Sequence, residues 1–261
     1  MPQDGLPATL LARTDGPVLV LTLNRPHKRN AIDDTTILAV ERAFTELDPA
    51  VRAAVIQAEG PNFSAGLDLG EMDELDAFAG IAHSRLWHRA LAAVEDGPIP
   101  VVAALKGAVV GGGLELAAAC HIRVADRSAF YALPEGQRGI FVGGGGSVRL
   151  PRLMGVARMT DLMLTGRRFD AEEGMAAGLT QYLVAEGSAE PTALELARRV
   201  AGNAPQTNFA VLQALPRIAR ADQDEGFLLE ALMAAITQST DDAKRRMADF
   251  LAGRAPKVTD R

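Results

Sequence analysis

The sequence has one cysteine, no zinc-type histidine spacing and no block of basic residues. The lone thiol, Cys120, excludes an internal disulfide, and its apolar neighbours favour a packing role over a nucleophilic one. The histidines are too scattered to form a metal-ligand motif, so no metal is implied; they are His27, His83, His88 and His121.

The charge balance and the apolar runs exclude further classes of protein. With 27 basic and 33 acidic residues the net charge is −6, which argues against a nucleic-acid groove. The longest apolar region, Ile99 to Cys120, is interrupted by Lys106, Glu115 and glycines, so we expect no membrane span. Asp4 precedes any apolar run and no basic signal-peptide start is seen, which predicts a cytoplasmic location.

Length and periodicity predict an α/β fold. A chain of 261 residues with 48% hydrophobic residues is expected to form one large core domain, with or without a smaller appendage. Short apolar runs alternate with helical patterns and are followed by a helical tail. The predicted strands include Leu10–Arg13 paired as a hairpin with Val18–Leu23, then Ala53–Ala58, Ile99–Leu105, Ile122–Ala125 and Ala129–Ala132.

The stretch from Lys106 to Cys120 joins a predicted buried strand, a glycine turn and a helix. Three glycines, Gly111 to Gly113, stand where the helix begins, and the first N–H groups of a helix have no internal partner. The N–H of Gly112 is therefore suited to hold a carbonyl oxygen that becomes negative. The residues alone leave a second interpretation open, a tight packing turn with Glu115 merely favourable in the first helical turn.

Two loops add candidates. In the loop from Glu59 to Leu69, the turn at Ser64-Ala65-Gly66 places a second free N–H, that of Leu67, where it could face Gly112. Ser64 lacks a G-x-S-x-G elbow, which disfavours a serine hydrolase. The loop Arg25–Arg29 is basic, and by itself it is either a polyanion site or a solvated turn.

Taken together, these stretches resemble the enoyl-CoA hydratase/isomerase (crotonase) superfamily. The resemblance extends from about Leu10 to Arg254 and rests on five motifs in the same order and spacing. They are Asn24-Arg25-Pro26, Phe63 to Leu69, Pro100 to Lys106 with Gly111 to Leu116, Pro134-Glu135, and Gly143 to Gly146 before Arg149-Leu150.

The resemblance implies a role for each site residue. The N–H groups of Leu67 and Gly112 would form the oxyanion hole for a thioester carbonyl. Glu115 and Glu135 align with the two catalytic carboxylates of the hydratases, with Glu115 as the base toward water and Glu135 as the acid toward carbon. Gly143 aligns with the backbone donor that helps to hold the reacting water. The alternatives within the family are a double-bond isomerase, a hydroxycinnamoyl-CoA hydratase-lyase and a thioester hydrolase. A non-catalytic acyl-CoA- or RNA-binding relative is the alternative from another class.

The same resemblance implies the ligand and the architecture. The CoA part of an acyl-CoA substrate would bind at Arg25, Lys28, Ala65, Asp68 and Leu69, and no cofactor is needed beyond the CoA of the substrate. A crotonase-like spiral of β-β-α units is expected over residues 1–200. A helical carboxyl-terminal region over residues 201–261 would make trimer contacts and cover the active site, in a homo-oligomer that is a trimer or a dimer of trimers.

The sequence also departs from the hydratase pattern. Val142 stands where proline usually precedes the glycine run, Ser147-Val148 replaces Thr-Gln, His121 replaces an aspartate, and Tyr131-Ala132-Leu133 replaces Phe-Gly-x. We expect these changes to surround the acyl pocket and to alter the acyl chain that it accepts. Arg138, close to Glu135 in sequence, is either a structural ion-pair partner or a group that recognises a polar acyl chain.

Overall fold

The computed structural model describes residues 5–71 and 76–254. The chain divides into two compact units, Met1–Ala201 and Gly202–Arg261. In the first unit strands alternate with helices, and the order β-β-α recurs along the chain. The mixed α/β class expected from the sequence is confirmed.

In the described part of the first unit, a six-stranded sheet has the order β1-β2-β3-β4-β6-β9. The first two strands form the expected antiparallel hairpin, and the later neighbours are parallel. Strands β2 and β4 are buried along their whole length, which is why they appear in the sequence as unbroken apolar runs. The strands are β1 (Leu10–Asp15), β2 (Val18–Leu23), β3 (Ala53–Ala58), β4 (Val101–Leu105), β6 (Ile122–Asp126) and β9 (Tyr182–Val184).

A second, three-stranded sheet in the described residues consists of β5 (Ala108–Val110), β7 (Phe130–Ala132) and β8 (Arg168–Phe169). Neither β5 nor β8 was expected from the sequence, nor was β9. Each has only two or three residues, which is too short to show a period of its own.

Seven helices of the first unit surround these sheets in the described ranges. The sequence predicts a cap at Asp33 or Asp34, and the structure shows that it is Asp33, whose side chain accepts a hydrogen bond from the N–H of Thr36 and caps α1. The apolar pattern of the sequence predicts a mostly helical region over Glu71–Glu95, and within it the second helix begins at Ala77; residues 72–75 lie outside the described ranges. The helices are α1 (Asp34–Thr45), α2 (Ala77–Glu95), α3 (Gly112–Ala119), α4 (Gly146–Met154), α5 (Val156–Thr165), α6 (Ala171–Ala176) and α7 (Ala189–Ala201).

Cys120 lies in the larger apolar core cluster, at the end of α3. Its thiol donates to the carbonyl of Leu116, and burial raises the pKa of the thiol to about 12. The packing role expected for this residue is therefore confirmed, because a buried thiol with a raised pKa forms little of the reactive thiolate.

The second unit is helical in its described part, and no helix of the described residues is long and apolar enough to cross a membrane. Its elements are α8 (Pro205–Phe209), a π-helical turn (Ala210–Ala214), α9 (Leu215–Ile218), α10 (Gln223–Ser239) and α11 (Asp241–Leu251). Helix α10 carries exposed apolar side chains, Phe227, Leu228, Leu232 and Ile236. The predicted use of this unit in subunit contacts stays a prediction.

Gly174 and Gly80 provide a matched pair of alanine substitutions that tests the packing. A Cβ atom at Gly174 would lie 2.1 Å from Cε2 of the fully buried Tyr131, whereas a Cβ atom at Gly80 in α2 would meet nothing within 4 Å. We expect Gly174→Ala to lower the free energy of unfolding by about 1–3 kcal/mol. Gly80→Ala should raise it by about 0.5–1 kcal/mol. Urea unfolding followed by circular dichroism measures both, and equal stability of the two variants would contradict this packing.

Candidate active site

Two backbone segments meet at the amino terminus of α3. The N–H of Ser64 donates to the carbonyl of Ala108 at 2.8 Å, and the N–H of Val110 donates to the carbonyl of Ser64 at 3.0 Å. The segments can approach this closely because glycine stands at the crossing. A Cβ atom at Gly113 would lie 2.6 Å from Cβ of Ser64. The backbone angle φ of Gly66 is +95°, a conformation that residues other than glycine rarely adopt.

This crossing brings together the two N–H groups predicted from the sequence. Gly112 is the first residue of α3, so its N–H has no acceptor within the helix. A Cβ atom at Gly112 would lie 3.2 Å from the nitrogen of Leu67, and both residues line the same cavity. Two adjacent donors at a helix amino terminus are an arrangement suited to an oxygen that carries negative charge.

The carboxyl group of Glu115 lies in a cradle of backbone N–H groups. Its Oε1 accepts from the N–H of Gly144 at 2.9 Å and from that of Gly146 at 2.7 Å. The side chain is almost fully buried, and this burial raises the pKa of Glu115. The two N–H groups and the charge of Arg149 oppose that rise in pKa.

The glycine run Gly143–Gly146 is fixed by side chains on either side of it. Oγ of Ser84 donates to the carbonyl of Gly143 at 2.7 Å. Nη1 of Arg149 donates to the carbonyl of Gly144 at 3.0 Å, while its Nε donates to Oε2 of Glu95 at 2.7 Å. The loop that holds Glu115 is therefore tied to both α2 and α4.

Sequence reasoning singled out Gly143 in this run and missed the two glycines that donate to Glu115. Gly143 does line the cavity, and its role toward water stays a prediction. A Cβ atom at Gly144 or Gly146 would lie 2.9 Å or 2.8 Å from a carboxylate oxygen of Glu115. The available signal was the run of four glycines itself, which indicates a backbone that another group approaches closely.

Glu135 lies in a short 3-10 helix, Pro134–Arg138, and its carboxyl group approaches Gly111. A Cβ atom at Gly111 would lie 2.6 Å from Oε1 of Glu135, and Oε2 is buried without a hydrogen-bond partner in the described residues. Burial raises the pKa of Glu135, and the nearby charge of Glu115 raises it further. Arg138 is exposed, lines the cavity and partly opposes this rise through its charge.

Two adjoining cavities contain these groups. A small cavity of about 50 Å³ is lined by both glutamates and both candidate donors, together with residues that include Ala65, Leu69, Arg138 and Val142. A larger cavity of about 390 Å³ extends from Leu67, Glu115 and Gly143 along α2. The site thus combines a compact polar centre with a roomier pocket beside it.

The structure corrects part of the expectation that the sequence departures surround the acyl pocket. Val142 does line the small cavity. Tyr131 does not line either cavity; it is fully buried, and its ring packs against Gly174. His121 accepts from the N–H of Val101 through Nδ1 and bonds the carbonyl of Glu95 through Nε2, so it ties α2 to β4 away from both cavities.

The charge of the basic loop Arg25–Arg29 is neutralised in part by carboxylates of neighbouring segments. Nη1 of Arg25 lies 2.8 Å from Oδ2 of Asp68 and 3.3 Å from Oδ2 of Asp33, with little of the side chain exposed. Nζ of Lys28 also bonds Oδ2 of Asp68 at 2.8 Å, and 46% of this side chain is exposed. The hydrogen bond from Lys28 lowers the pKa of Asp68. Of the two basic candidates, Lys28 is the one that remains accessible to an anion.

Comparison with known proteins identifies the family. A sequence profile described as enoyl-CoA hydratase/isomerase matches residues 13–261. The chain belongs to the enoyl-CoA hydratase/isomerase family. Membership in this family, the crotonase superfamily, makes it an enzyme of the CoA-thioester hydratase/isomerase type.

Individual relatives extend over nearly the whole chain. A short-chain-enoyl-CoA hydratase of Clostridium acetobutylicum is 32% identical over 248 residues, which is 94% of this chain and 95% of that protein. A crystal structure provisionally named enoyl-CoA hydratase, from Rhodopseudomonas palustris, is 58% identical with a TM-score of 0.92 and covers 94% of this chain and 95% of that one. An enoyl-CoA hydratase structure from Bacillus anthracis has a TM-score of 0.89 at 28% identity, with coverage of 97% and 100%.

The burial of Glu115 and Glu135 predicts how stability depends on pH. Because burial raises both pKa values, the native state binds more protons than the unfolded chain above about pH 4.3, the ordinary range of glutamate. The contribution of these two groups to stability therefore falls as pH rises from that value through the raised pKa values of the folded protein. Glu115→Gln and Glu135→Gln remove this contribution, so their stability relative to the wild type should increase from pH 4 to pH 7.

Urea midpoints at the two pH values measure the change. Glu186→Gln, at an exposed glutamate, is the control and should follow the wild type at both pH values. A stability difference for the two buried sites that does not vary with pH would show that their carboxyl groups titrate normally.

Proposed function

We propose that this protein is an enoyl-CoA hydratase, which adds water across the trans-2 double bond of an enoyl-CoA thioester to give 3-hydroxyacyl-CoA. The observation that carries the proposal is the small cavity in which two buried carboxyl groups, Glu115 and Glu135, lie beside the N–H groups of Leu67 and Gly112. Hydration needs a base for water, an acid for carbon and donors for the thioester oxygen, and these residue types supply all three.

The N–H groups of Leu67 and Gly112 would bind the thioester carbonyl. Attack of water on C3 moves electron density through the double bond to the carbonyl oxygen, which becomes enolate-like. Preorganised donors stabilise that charge more strongly than the ground-state carbonyl, and one such donor is worth roughly 3 kcal/mol. The helix dipole of α3 acts in the same direction.

Burial raises the pKa of both glutamates, but the groups that oppose this rise differ between them. Glu115 accepts two backbone N–H bonds, which favour its carboxylate form and suit a base that takes a proton from water. Oε2 of Glu135 has no donor among the described residues, and the charge of Glu115 adds to the burial that raises its pKa. In the proposed reaction Glu135 is therefore the acid that delivers a proton to C2, while the water oxygen bonds to C3.

The remaining predicted residues would hold the rest of the substrate. The exposed ammonium group of Lys28 would bind a phosphate of CoA, while Arg25 would keep Asp68 in place beneath it. Ala65 and Leu69 line the small cavity, and the acyl chain would occupy the larger cavity. CoA thus enters as part of the substrate. Assembly as a trimer or a dimer of trimers through the second unit belongs to the same proposal.

Substitution of the two glutamates tests the reaction. Glu115→Gln and Glu135→Gln should each lower kcat on crotonyl-CoA by at least about 10²-fold, because each removes a general acid–base group. Loss of the conjugated-thioester absorbance measures the rate, and unfolding midpoints show whether the variants are folded. Rates near the wild type in either folded variant would contradict a two-carboxyl mechanism.

Product analysis distinguishes hydration from the related reactions. Hydration yields 3-hydroxyacyl-CoA from crotonyl-CoA, an isomerase gives none, and a thioester hydrolase releases free CoA. Detection of free CoA or of a shifted double bond as the main product would replace the hydratase proposal by one of those activities.

Lys28→Ala tests the proposed phosphate contact. Since this ammonium group would bind a part of the substrate that does not react, the variant should raise KM for crotonyl-CoA severalfold with kcat unchanged. Crotonyl-pantetheine lacks the nucleotide phosphates, so wild type and variant should show the same KM for it. Arg89→Ala, at an exposed basic residue of α2, is the control. An equal rise in KM for both thioesters would remove Lys28 from the phosphate site.

A further inference from the structure

The larger cavity has a polar wall that hydration of a plain hydrocarbon chain does not require. Gly80, His83, Ser84 and Trp87 follow one another at helical spacing on one face of α2 and line the cavity. The same cavity is also lined by apolar side chains such as Ile140 and Phe141. A pocket for an unsubstituted acyl chain needs only apolar lining, so the imidazole and the hydroxyl group call for an explanation.

A carboxylate at the start of α1 fixes the imidazole. Oδ1 of Asp34 lies 2.9 Å from Nε2 of His83 and accepts from Nε1 of Trp87 at 3.0 Å. Because a carboxylate accepts hydrogen bonds and does not donate them, Nε2 of His83 carries the proton. In the neutral ring Nδ1 then has a free lone pair, and no hydrogen bond to Nδ1 is found in the described residues.

Ser84, like His83, can offer the cavity a hydrogen-bond acceptor. Its hydroxyl proton is used in the bond to the carbonyl of Gly143, so the lone pairs of Oγ are what it offers to the cavity. The polar wall therefore presents acceptors. The group that they fit is a hydrogen-bond donor.

The charges that line the larger cavity disfavour an acidic acyl group, while Arg138 lines the small cavity beside it. Asp76, which caps α2, and Glu115 line the larger cavity, and Asp34 stands directly behind His83. No lysine or arginine is among the residues lining the larger cavity that the structure describes. A second carboxylate on the substrate would be repelled, whereas a neutral hydroxyl group would not.

A substrate hydroxyl group that binds His83 would lie beyond the reacting carbons of the acyl chain. Trp87 lies against the oxyanion region, since a Cβ atom at Gly112 would lie 3.1 Å from Cζ3 of its indole. His83 is four residues before Trp87, which places it about 6 Å from Trp87 along the helix axis. The two ring centroids are 6.3 Å apart.

We infer that this pocket selects enoyl-CoA substrates whose acyl group carries a hydroxyl group beyond C3, and that this group donates to Nδ1 of His83. The inference rests on the proposed function and names the substrate class of the same site. Aliphatic and phenolic hydroxyl groups share the required chemistry.

Matched substrate pairs test the inference. The ratio of kcat/KM is measured for 6-hydroxy-2-hexenoyl-CoA against 2-hexenoyl-CoA, and for 4-hydroxycinnamoyl-CoA against cinnamoyl-CoA. The wild type should favour the hydroxylated member of at least one pair by tenfold or more. The pair that shows the preference distinguishes an aliphatic from a phenolic substrate.

Variants assign the preference to His83. His83→Leu should bring the ratio close to 1, and His83→Gln, which keeps an acceptor, should restore part of it. His88→Leu, at an exposed histidine of the same helix, is the matched control and should keep the wild-type ratio. Ratios near 1 in the wild type, or a preference that survives in His83→Leu, would overturn the inference.

Binding without turnover separates this inference from the proposed function. Calorimetric titration with 6-hydroxyhexanoyl-CoA and hexanoyl-CoA, and with saturated 3-phenylpropanoyl-CoA and its 4-hydroxyphenyl analogue, reports the preference in Kd. A preference that depends on His83, found in a protein that hydrates neither crotonyl-CoA nor either substrate of the corresponding pair, supports the pocket and rejects the hydratase. Hydration with no preference in rate or in Kd does the reverse.

Discussion

The close crossing of two backbone segments is the constraint on which the site depends. Ser64 to Leu67 runs against Ala108 to Gly113, and glycine is the residue that fits at the contact points, because a Cβ atom at Gly113 would lie 2.6 Å from Ser64. This contact turns two separate loops into one surface with adjacent amide donors. A side chain at the crossing would push the two segments and their N–H donors apart. The amino terminus of α3 would then no longer face the same point as the N–H of Leu67.

Burial of two acidic groups within one small cavity is the main unfavourable feature of this arrangement. The protein offsets it for Glu115 with two backbone donors and the charge of Arg149, and leaves Oε2 of Glu135 without a donor in the described residues. The asymmetry is chemically useful, since a pair of acidic groups can act as base and acid only if their surroundings differ. It also explains why the loop that holds Glu115 is tied down from two sides.

The sequence was sufficient for features that depend on local pattern. Buried strands appear as apolar runs, the cap of α1 is one of the two adjacent aspartates expected there, and the N–H of Gly112 follows from a glycine turn at a helix start. The strands β5 and β8 are too short to have a pattern. Contacts between distant segments were beyond this reasoning. Asp34 meets His83 across 49 residues, and Tyr131 was expected at the pocket although it lies in the core.

Trp87 is the only tryptophan in the chain. Its indole donates to Asp34 and rests against Gly112, between the candidate oxyanion region and the imidazole of His83. Intrinsic indole fluorescence therefore arises from a single position at the wall of the pocket. Occupancy of that pocket by any thioester will be visible as a change in emission, without a label and without turnover.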